Sequence, residues 1–384
     1  MISNTSLQGV PYWRLSSFYF LFFVTVGIFL PYWSLYLKAI GMNAEQIGIL
    51  AAIVVFTKIF ITYFWGWAVD HTGRRMRVIQ IASLFSAISF SAALFIQDFW
   101  GLAIVLIIFS LFWSASLPQI EAATLAHLGE STHGYTNIRV WGSVGFIVAV
   151  WLLGIVFETI DIKNVPVFVL ISMIVVWLMS LVIPEQKVLQ HESVHESLKS
   201  ILFRPQVIAL LAVCFLMLAS HGTYYTFYSI YLEDNGYTSG FIGQMWALGV
   251  IAEVIMFMFM QRLIHASSLR LLLLVSLFFA VLRWLLIGYF VESVAVLVFA
   301  QLLHAATFGV YHTVAILYIH KYFRGRLQGR GQALYSSVSF GAGMALGSLV
   351  SGYAWNDAGA LLCFVGAAVT AGVAWIIAWT WLRE

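Results

Sequence analysis

The run LSSFYFLFFVTVGIFLPYWSLYL, residues 15–37, is 23 residues long and contains no Asp, Glu, Lys or Arg. A helix of about 20 apolar residues is long enough to cross the roughly 30 Å hydrocarbon core of a bilayer. The run therefore predicts a membrane-spanning helix. The segment before it has no basic region and the run has no small-residue cleavage site, so we expect this helix to stay in the protein.

The composition of the whole chain agrees with a membrane location. Of its 384 residues, 62% are hydrophobic and 9% are charged, whereas a soluble domain is about 25% charged. Its 31 Phe, 17 Tyr and 15 Trp would leave large apolar patches in water. This excludes a soluble enzyme and makes the lipid bilayer the expected surroundings. The net charge is only +3, without a basic run among surface aromatics, so we expect no nucleic acid partner.

Twelve apolar runs separated by polar loops predict an all-α membrane protein with twelve transmembrane helices, numbered here 1 to 12. The runs lie near residues 15–37, 45–68, 78–97, 100–126, 137–157, 165–184, 207–232, 239–262, 270–290, 294–318, 331–353 and 359–382. The longest polar interruption is interpreted as a cytoplasmic linker, residues 185–206. It separates a predicted N-terminal six-helix bundle, 1–184, from a C-terminal one, 207–384.

Basic residues predict the orientation of these helices. Fourteen Lys and Arg fall on the side of the N-terminus, whereas the opposite loops hold only Lys38 and Lys163. Because Lys and Arg accumulate in cytoplasmic loops, both termini are predicted to be cytoplasmic.

A repeat appears when the second half of the chain is moved back by 195 residues. The matches are Tyr36-Leu37 with Tyr231-Leu232, Gly41 with Gly236, Ile47-Gly48 with Ile242-Gly243, and Gly134 with Gly329. The shift superimposes helices that run in the same direction, so the repeats are parallel. In transporters of this kind the substrate binds between the repeats near the middle of the membrane.

The loop after helix 2 reads GWAVDHTGRR, residues 66–75. It resembles the G-x-x-x-D-[RK]-x-G-[RK]-[RK] signature of the major facilitator superfamily, with His71 in place of a basic residue. The resemblance implies a loop that latches a rocking movement and does not bind substrate. Its residues are Gly66, Asp70, Gly73, Arg74 and Arg75. We expect Gly66 to permit close helix approach and Asp70 to accept bonds from the basic residues or cap a helix.

A closer resemblance covers almost the whole chain. The stretches GIFLPYWS (27–34), VWGSV (140–144, after Arg139) and LGVIAEV (248–254) are similar to the 3-phenylpropionate permease family, whose relatives include lactose permease and nucleoside symporters. The resemblance implies a proton-coupled symporter in a bacterial inner membrane, which takes up a small aromatic carboxylate together with protons. We expect a monomer without enzyme activity, cofactor or metal.

Seven ionisable side chains fall inside the predicted helices, where a charge costs about 2.5–3.5 kcal/mol on insertion scales and therefore suggests a function. They are Lys58, Glu121, Arg139, Glu253, Arg283, His304 and His312. Glu121 and Arg139 lie at similar depth on helices 4 and 5 and can pair. The pair is either structural or, as the lactose permease resemblance implies, part of the substrate site.

Glu253, Arg283 and His304 lie near the middle of helices 8, 9 and 10, with His312 two turns further along helix 10. Burial disfavours an ionised carboxyl and a nearby arginine favours it, so movement between two such environments can load and release a proton. We hypothesise that Glu253 carries the proton. Lactose permease has its main proton carboxyl on helix 10, so His304 or His312 is the alternative, unless these histidines only hydrogen-bond the backbone.

Charge balance and aromatic residues indicate the substrate. The three intramembrane cations exceed the two carboxylates by one, which favours a monoanion bound by Arg139 or Lys58. Lys58 could instead pair with Glu121 or extend to the membrane surface.

Helix 7 carries a polar and aromatic stripe of His221, Tyr224, Tyr225 and Tyr228 at helical spacing, which suits a ring-bearing ligand or simple packing. Trp246 and Trp141 are weaker candidates of the same kind.

Other functions remain open at this stage. One is symport of a sugar or nucleoside, whose hydroxyls a Glu/Arg pair can bind. Another is drug/proton antiport, although helix 5 lacks the proline common in such carriers. A third is a membrane metalloprotease, because residues 191–195 read HESVH. That match lies in the polar linker and has no evident third ligand, so we interpret it as chance. The two cysteines, Cys214 and Cys363, lie in apolar runs and are expected to act as small hydrophobic residues.

Overall fold

The computed structural model describes residues 9–129, 134–185, 199–324 and 327–382. The described residues contain α-, π- and 3-10 helices and no strand, which confirms the all-α prediction. The long helices are Tyr12–Ala39, Ala44–Phe56 with Lys58–Thr72, Arg75–Ser91, Phe99–Leu128, Gly134–Val156, Val165–Leu181, Pro205–Asp234, Ser239–Ala266, Leu269–Tyr289, Val294–Leu302 with Ala305–Val310 and Tyr311–Tyr322, and Gln328–Ser336 with Ser337–Gly343 and Met344–Trp381. A short helix, Lys199–Leu202, precedes helix 7. Residues 186–198 of the predicted linker lie outside the described residues.

The last helical stretch contains two membrane spans. Among the described residues, eleven helices are long and apolar enough to cross a membrane, and the last, Gln328–Trp381, has 54 residues. Gly359 interrupts it with φ 83° and ψ 161°, a conformation that glycine tolerates. The interruption divides this stretch into helices 11 and 12, so the described chain has the twelve predicted spans.

Three helices contain local irregularities. Helix 2 is interrupted at Thr57, and helices 10 and 11 each contain a π-helical turn, at Ala305–Val310 and Ser337–Gly343. Such π-helical turns inside α-helices are frequent at functional sites. The turn in helix 10 lies between His304 and His312.

The predicted repeat is visible in the packing of glycines. Gly145 of helix 5 lies against the backbone carbonyl of Phe20, and Gly343 of helix 11 lies against that of Phe215, 195 residues after Phe20. A Cβ on either glycine would clash with the carbonyl, so these residues allow the helices to touch. Helices 1 and 5 of the first repeat and helices 7 and 11 of the second are therefore both in close backbone contact.

The two repeats contact each other closely at one end of the bundle, which we call the Lys38 end. There Gly154 of helix 5 lies against Gly240 of helix 8, and Gly352 of helix 11 lies against Gly48 of helix 2. The Lys38 ammonium, at the end of helix 1, is 2.7 Å from Glu233 and 2.5 Å from Asp234 at the end of helix 7. In this structure the Lys38 end is closed.

Candidate functional site

The first part of the site is formed by Glu121 of helix 4 and Arg139 of helix 5. Glu121 Oε1 and Arg139 Nε are 3.9 Å apart, and the two side chains are 37% and 30% exposed. At this distance the pair is electrostatic rather than hydrogen-bonded. The guanidinium therefore keeps hydrogen-bond donors available for a ligand. The predicted pairing of these two residues agrees with the structure.

Helix 1 supplies aromatic neighbours of Arg139 that the sequence pattern did not indicate. The Arg139 guanidinium lies over the ring of Phe23, 4.2 Å from its centroid, and 5.7 Å from that of Tyr19. The Tyr19 hydroxyl contacts the Thr124 hydroxyl at 3.2 Å. Tyr19 and Phe23 are four residues apart on one helix face, which is a usable signal. Which face points toward Arg139 is decided by the packing of helix 1 on helix 5.

The second part of the site surrounds Arg283 of helix 9, which is 0% exposed. Its guanidinium donates to the carbonyl oxygen of Ala300 at 3.0 Å, to Gln301 Oε1 at 3.1 Å and to Thr307 Oγ1 at 3.2 Å. It also lies 4.3 Å from the ring centroid of Tyr224. These contacts replace the water that a buried charge loses. Gln301 and Thr307 were not predicted, although both are polar residues in an apolar helix.

Arg283 determines the hydrogen positions on His304. Arg283 Nη1 is 3.0 Å from His304 Nδ1, and because arginine only donates, Nδ1 must accept. The ring hydrogen of a neutral His304 is then on Nε2, which lies 3.6 Å from Glu253 Oε2. The structure thus brings together the predicted residues Glu253, Arg283 and His304. They form a chain in which the histidine connects the arginine to the carboxyl group.

The aromatic stripe of helix 7 packs around this buried arginine. The Tyr224 hydroxyl donates to Gln301 at 3.0 Å, and the Tyr224 ring lies 4.9 Å from that of Trp246. Tyr224, Tyr228 and Trp246 are buried, whereas Tyr225 is partly accessible. In this conformation, therefore, only Tyr225 of the four predicted aromatic ligands is open to a solute.

Two further aromatic candidates have local structural partners. His221 Nδ1 donates to the carbonyl oxygen of Met217 at 2.8 Å. A hydrogen bond to the backbone is the structural alternative given above for a histidine inside a membrane helix. Trp141 donates to the Tyr12 hydroxyl at 3.1 Å and packs against Trp13.

His312 and Lys58 have accessible side chains. His312 is partly exposed, and its Nδ1 lies 3.0 Å from the Tyr335 hydroxyl. Arg139 interacts electrostatically with both His312 and Glu253. Lys58 begins the second segment of helix 2, next to Ile59, which contacts Gly341 of helix 11.

The loop at residues 66–75 differs in part from expectation. The expectation that Gly66 brings two helices close is wrong here, because no described atom lies within 4 Å of the position of an added Cβ. Gly73 ends helix 2 with φ 63°, a left-handed conformation that favours glycine.

The adjacent helix start is capped from the linker rather than by Asp70. Glu185 accepts from the backbone N–H of Met76 at 3.0 Å. Asp70 instead interacts electrostatically with Arg75, which Glu185 also influences, while Arg74 precedes the first residue of helix 3.

Metal binding finds no support in the described ranges, which contain no group of three or more His, Cys, Asp or Glu side chains placed to hold an ion. The histidines of the HESVH string, His191 and His195, lie outside the described residues.

Known proteins resemble this chain over almost its whole length. The profile of the MFS_1 like family matches residues 12–365. A probable 3-phenylpropionic acid transporter of Escherichia coli is 32% identical over 348 residues, which cover 89% of this chain and 90% of that protein. The maltose permease of Geobacillus stearothermophilus is 25% identical over 344 residues, 88% of this chain and 86% of the permease.

A solved structure shows the same fold. The crystal structure of a mutant form of the nucleoside transporter NupG superimposes with a TM-score of 0.86. It covers 97% of this chain and 100% of the NupG chain at 16% sequence identity. The likeness establishes the twelve-helix architecture of the major facilitator fold.

Proposed function

The chain belongs to the MFS_1 like family of membrane transporters, and from this we propose that it is a proton-coupled symporter that imports a small aromatic carboxylate such as 3-phenylpropionate. It is a transporter of the major facilitator type and not an enzyme, and it is a multi-span protein of the bacterial inner membrane. The substrate, the coupling to protons and the monomeric state belong to the proposal.

The surroundings of Arg139 are the observation that carries the substrate assignment. A partly exposed guanidinium lies directly beside the ring of Phe23, and its one carboxylate partner among the described residues is 3.9 Å away. An arylpropionate has the complementary groups, an anion and a ring separated by a short chain. A carboxylate can take two charge-assisted hydrogen bonds from one guanidinium, which are the strongest of their kind. The E. coli relative carries the name of such a transporter.

Glu253 is the proposed proton carrier. It is 16% exposed, which allows exchange with water, and the Nε2–H of His304 points toward it. Arg139 acts on Glu253 from the other repeat. A substrate anion that occupies Arg139 removes part of this attraction for the ionised carboxyl. Binding of the anion and binding of a proton at Glu253 therefore favour each other, as symport requires.

Alternating access provides the transport cycle. We propose that the bundles 1–184 and 207–384 rock against each other, and that the loop 66–75 takes part in this movement. With the predicted orientation, the Lys38 end faces outward. The contacts between Gly154 and Gly240 would then close the site to the outside while Arg139 is reached from the cytoplasm.

Uptake of labelled 3-phenylpropionate into proteoliposomes, driven by an imposed pH gradient, tests the proposal. We expect Arg139→Ala to reduce uptake at least tenfold, because the loss of one charge-assisted hydrogen bond weakens binding by about this factor. Arg262→Ala is the matched control, because Arg262 also lies against a phenylalanine, Phe259, but near the end of helix 8. Full activity of Arg139→Ala would remove this arginine from the site, and absence of uptake by the wild type would reject the substrate.

Sugar symport is the second candidate. The observation that favours it is the maltose permease relative together with the Glu121–Arg139 pair, which can bind two neighbouring hydroxyls. Thermal-shift measurements on the purified protein with 3-phenylpropionate, maltose and uridine distinguish symport of an aromatic carboxylate from symport of a sugar. Stabilisation by the aromatic acid alone supports the first proposal, and stabilisation by maltose alone supports the second.

A further inference from the structure

Gly142 lies on helix 5 three residues after Arg139, a spacing that places both on one face of the helix. Gly142 is buried. A Cβ atom added to it would lie 2.7 Å from Arg139 Nη1 and 2.8 Å from Cδ2 of the Phe23 ring. Non-bonded carbon atoms are normally about 3.5–4.0 Å apart. The guanidinium and the ring therefore occupy the space that a side chain on Gly142 would need.

The close approach of helices 1 and 5 explains why the Phe23 ring lies over Gly142. One turn further along helix 5, Gly145 packs directly on the backbone carbonyl of Phe20. Helices in backbone contact leave little room between them for an aromatic ring, and a ring fits only where the facing residue has no side chain. Gly142 provides this notch, and the ring of Phe23 fills it.

The same notch holds the guanidinium of Arg139. Long side chains on a helix usually point back toward its N-terminus, whereas Arg139 Nη1 lies beside a residue that comes later in the helix. The ion pair with Glu121 is 3.9 Å long, so it does not fix the guanidinium by a hydrogen bond. The ring of Phe23, 4.2 Å away, covers one face of the guanidinium. The shape of the notch thus sets the position of this cation.

We infer that Gly142 is a positioning residue of the substrate site, which holds the Arg139 guanidinium against Phe23 so that its free N–H groups can meet a monocarboxylate. The inference rests on the proposed function. Gly142 acts through Arg139 and does not itself bind the substrate. A methyl group at this position must displace the guanidinium or the ring, because the contact between Gly145 and Phe20 keeps the two helix backbones together.

Gly142→Ala tests the inference with the addition of a single methyl group. Its uptake of labelled 3-phenylpropionate is measured in proteoliposomes with an imposed pH gradient. We expect the KM to rise about 2- to 30-fold, the range for loss of one cation–π contact. The maximal rate should change little, because the methyl group alters the position of a binding group and leaves the rest of the protein intact.

Two other glycines provide matched controls. Gly288→Ala also adds a methyl group at a tight contact, 3.0 Å from Cβ of Phe364, but between helices 9 and 12. Gly366→Ala adds one where no described atom lies within 4 Å, so it reports the gain in helix propensity alone. Both variants should keep the KM of the wild type. An equal rise in KM for Gly142→Ala and Gly288→Ala would show a general packing effect and would overturn the inference.

A double variant tests whether Gly142 acts through the contact between Arg139 and Phe23. In Phe23→Leu this contact is already lost, so the addition of Gly142→Ala should raise the KM little further. Leu also leaves room for the added methyl group, so the double variant provides the test if Gly142→Ala alone does not fold. Effects of the two substitutions that simply multiply would contradict the inference.

Chemical modification of Arg139 gives a readout that needs no substrate. Phenylglyoxal reacts with guanidinium groups, and mass spectrometry of peptides from the full-length protein measures the rate at each arginine. We expect Gly142→Ala to increase the rate at Arg139, because the ring of Phe23 no longer covers it. The rate at Arg262, which lies over the ring of Phe259, should stay the same.

The modification rate and the uptake together separate the inference from the proposed function. An unchanged rate at Arg139 in Gly142→Ala would overturn the inference, whatever the substrate. An increased rate, combined with no uptake of 3-phenylpropionate by the wild type, would support the positioning of Arg139 and reject the proposed substrate. An increased rate together with a raised KM supports both.

Discussion

Arg139 and Arg283 are both arginines inside the bundle, one in each repeat, but they differ in how much of their hydrogen-bonding capacity the protein itself uses. Arg283 is fully buried and donates to Ala300, Gln301, His304 and Thr307. Arg139 is 30% exposed, and within the described residues its polar contact is an ion pair of 3.9 Å. Four of the five N–H donors of Arg283 are thus bound by the protein, whereas the ion pair of Arg139 is too long for a hydrogen bond. If Arg139 binds the substrate as we propose, a structural cation and a ligand-binding cation can be distinguished by their partners rather than by their depth.

The largest expected effect comes from removing Arg283, the buried arginine. Arg283→Leu leaves His304 Nδ1 without its donor and Gln301 with only that of Tyr224. Breaking a buried charged network costs about 3–5 kcal/mol. We expect a clear loss of thermal stability in detergent together with loss of transport. Arg139→Leu should abolish substrate binding, while its melting temperature should stay close to that of the wild type. Equal melting temperatures of the two variants would contradict the comparison.

Replacement of Glu253, the carboxyl group beside His304, has the next largest effect. Glu253→Gln should eliminate accumulation against a concentration gradient, because the amide cannot release a proton. Exchange of labelled for unlabelled substrate across the membrane should persist, since it needs no net proton movement. Accumulation by this variant in proteoliposomes with an imposed pH gradient would place the proton carrier elsewhere.

A smaller effect is expected at the ring beside Arg139. Phe23→Leu keeps an apolar side chain but removes a cation–π contact worth about 0.5–2 kcal/mol, so the apparent affinity for substrate should fall about 2- to 30-fold. Maximal transport should change little. Phe259→Leu is the control, because the ring of Phe259 lies 5.8 Å from the guanidinium of Arg262 on another helix. An identical decrease in both variants would argue against a special role for Phe23.

The smallest effect concerns the closed end of the bundle. Lys38→Ala removes a partly exposed ion pair, and such pairs contribute about 0–1 kcal/mol. We expect the ratio of the closed to the open state to change by a factor of about five or less. The labelling rate of a cysteine introduced at Ser34 measures this change. High salt should produce the same shift in the wild type. No difference in labelling between variant and wild type would show that the glycine contacts alone hold this end.

The sequence predicted the membrane helices well because the bilayer imposes one simple requirement, a long apolar run. It also indicated that Glu121 meets Arg139 and that Arg283 lies near His304, since a charge in lipid needs a partner. It did not reveal the ring of Phe23 over Arg139, because the rotation of helix 1 depends on its packing against helix 5. The π-helical turn before His312 was equally hidden, as was the open space around Gly66.

The aromatic stripe of helix 7 shows that helical spacing identifies a face but not its surroundings. Spacing correctly placed Tyr224, Tyr225 and Tyr228 on one side of helix 7, but it could not show what that side would meet. They pack on the Arg283 cluster, with Trp246 among them. Periodicity indicates a common face, and only the three-dimensional arrangement shows what that face touches.

Lys38 and Glu233 occupy corresponding places in the two repeats, 195 residues apart, and their side chains meet at 2.7 Å. In an ancestor assembled from two identical halves, this position would have brought two equal charges together, and they would have repelled each other. Attraction there requires that the halves differ. Divergence after duplication could therefore replace repulsion on the symmetry axis by an ion pair. A symmetric pair of identical chains could not have acquired this ion pair by changing that position alone.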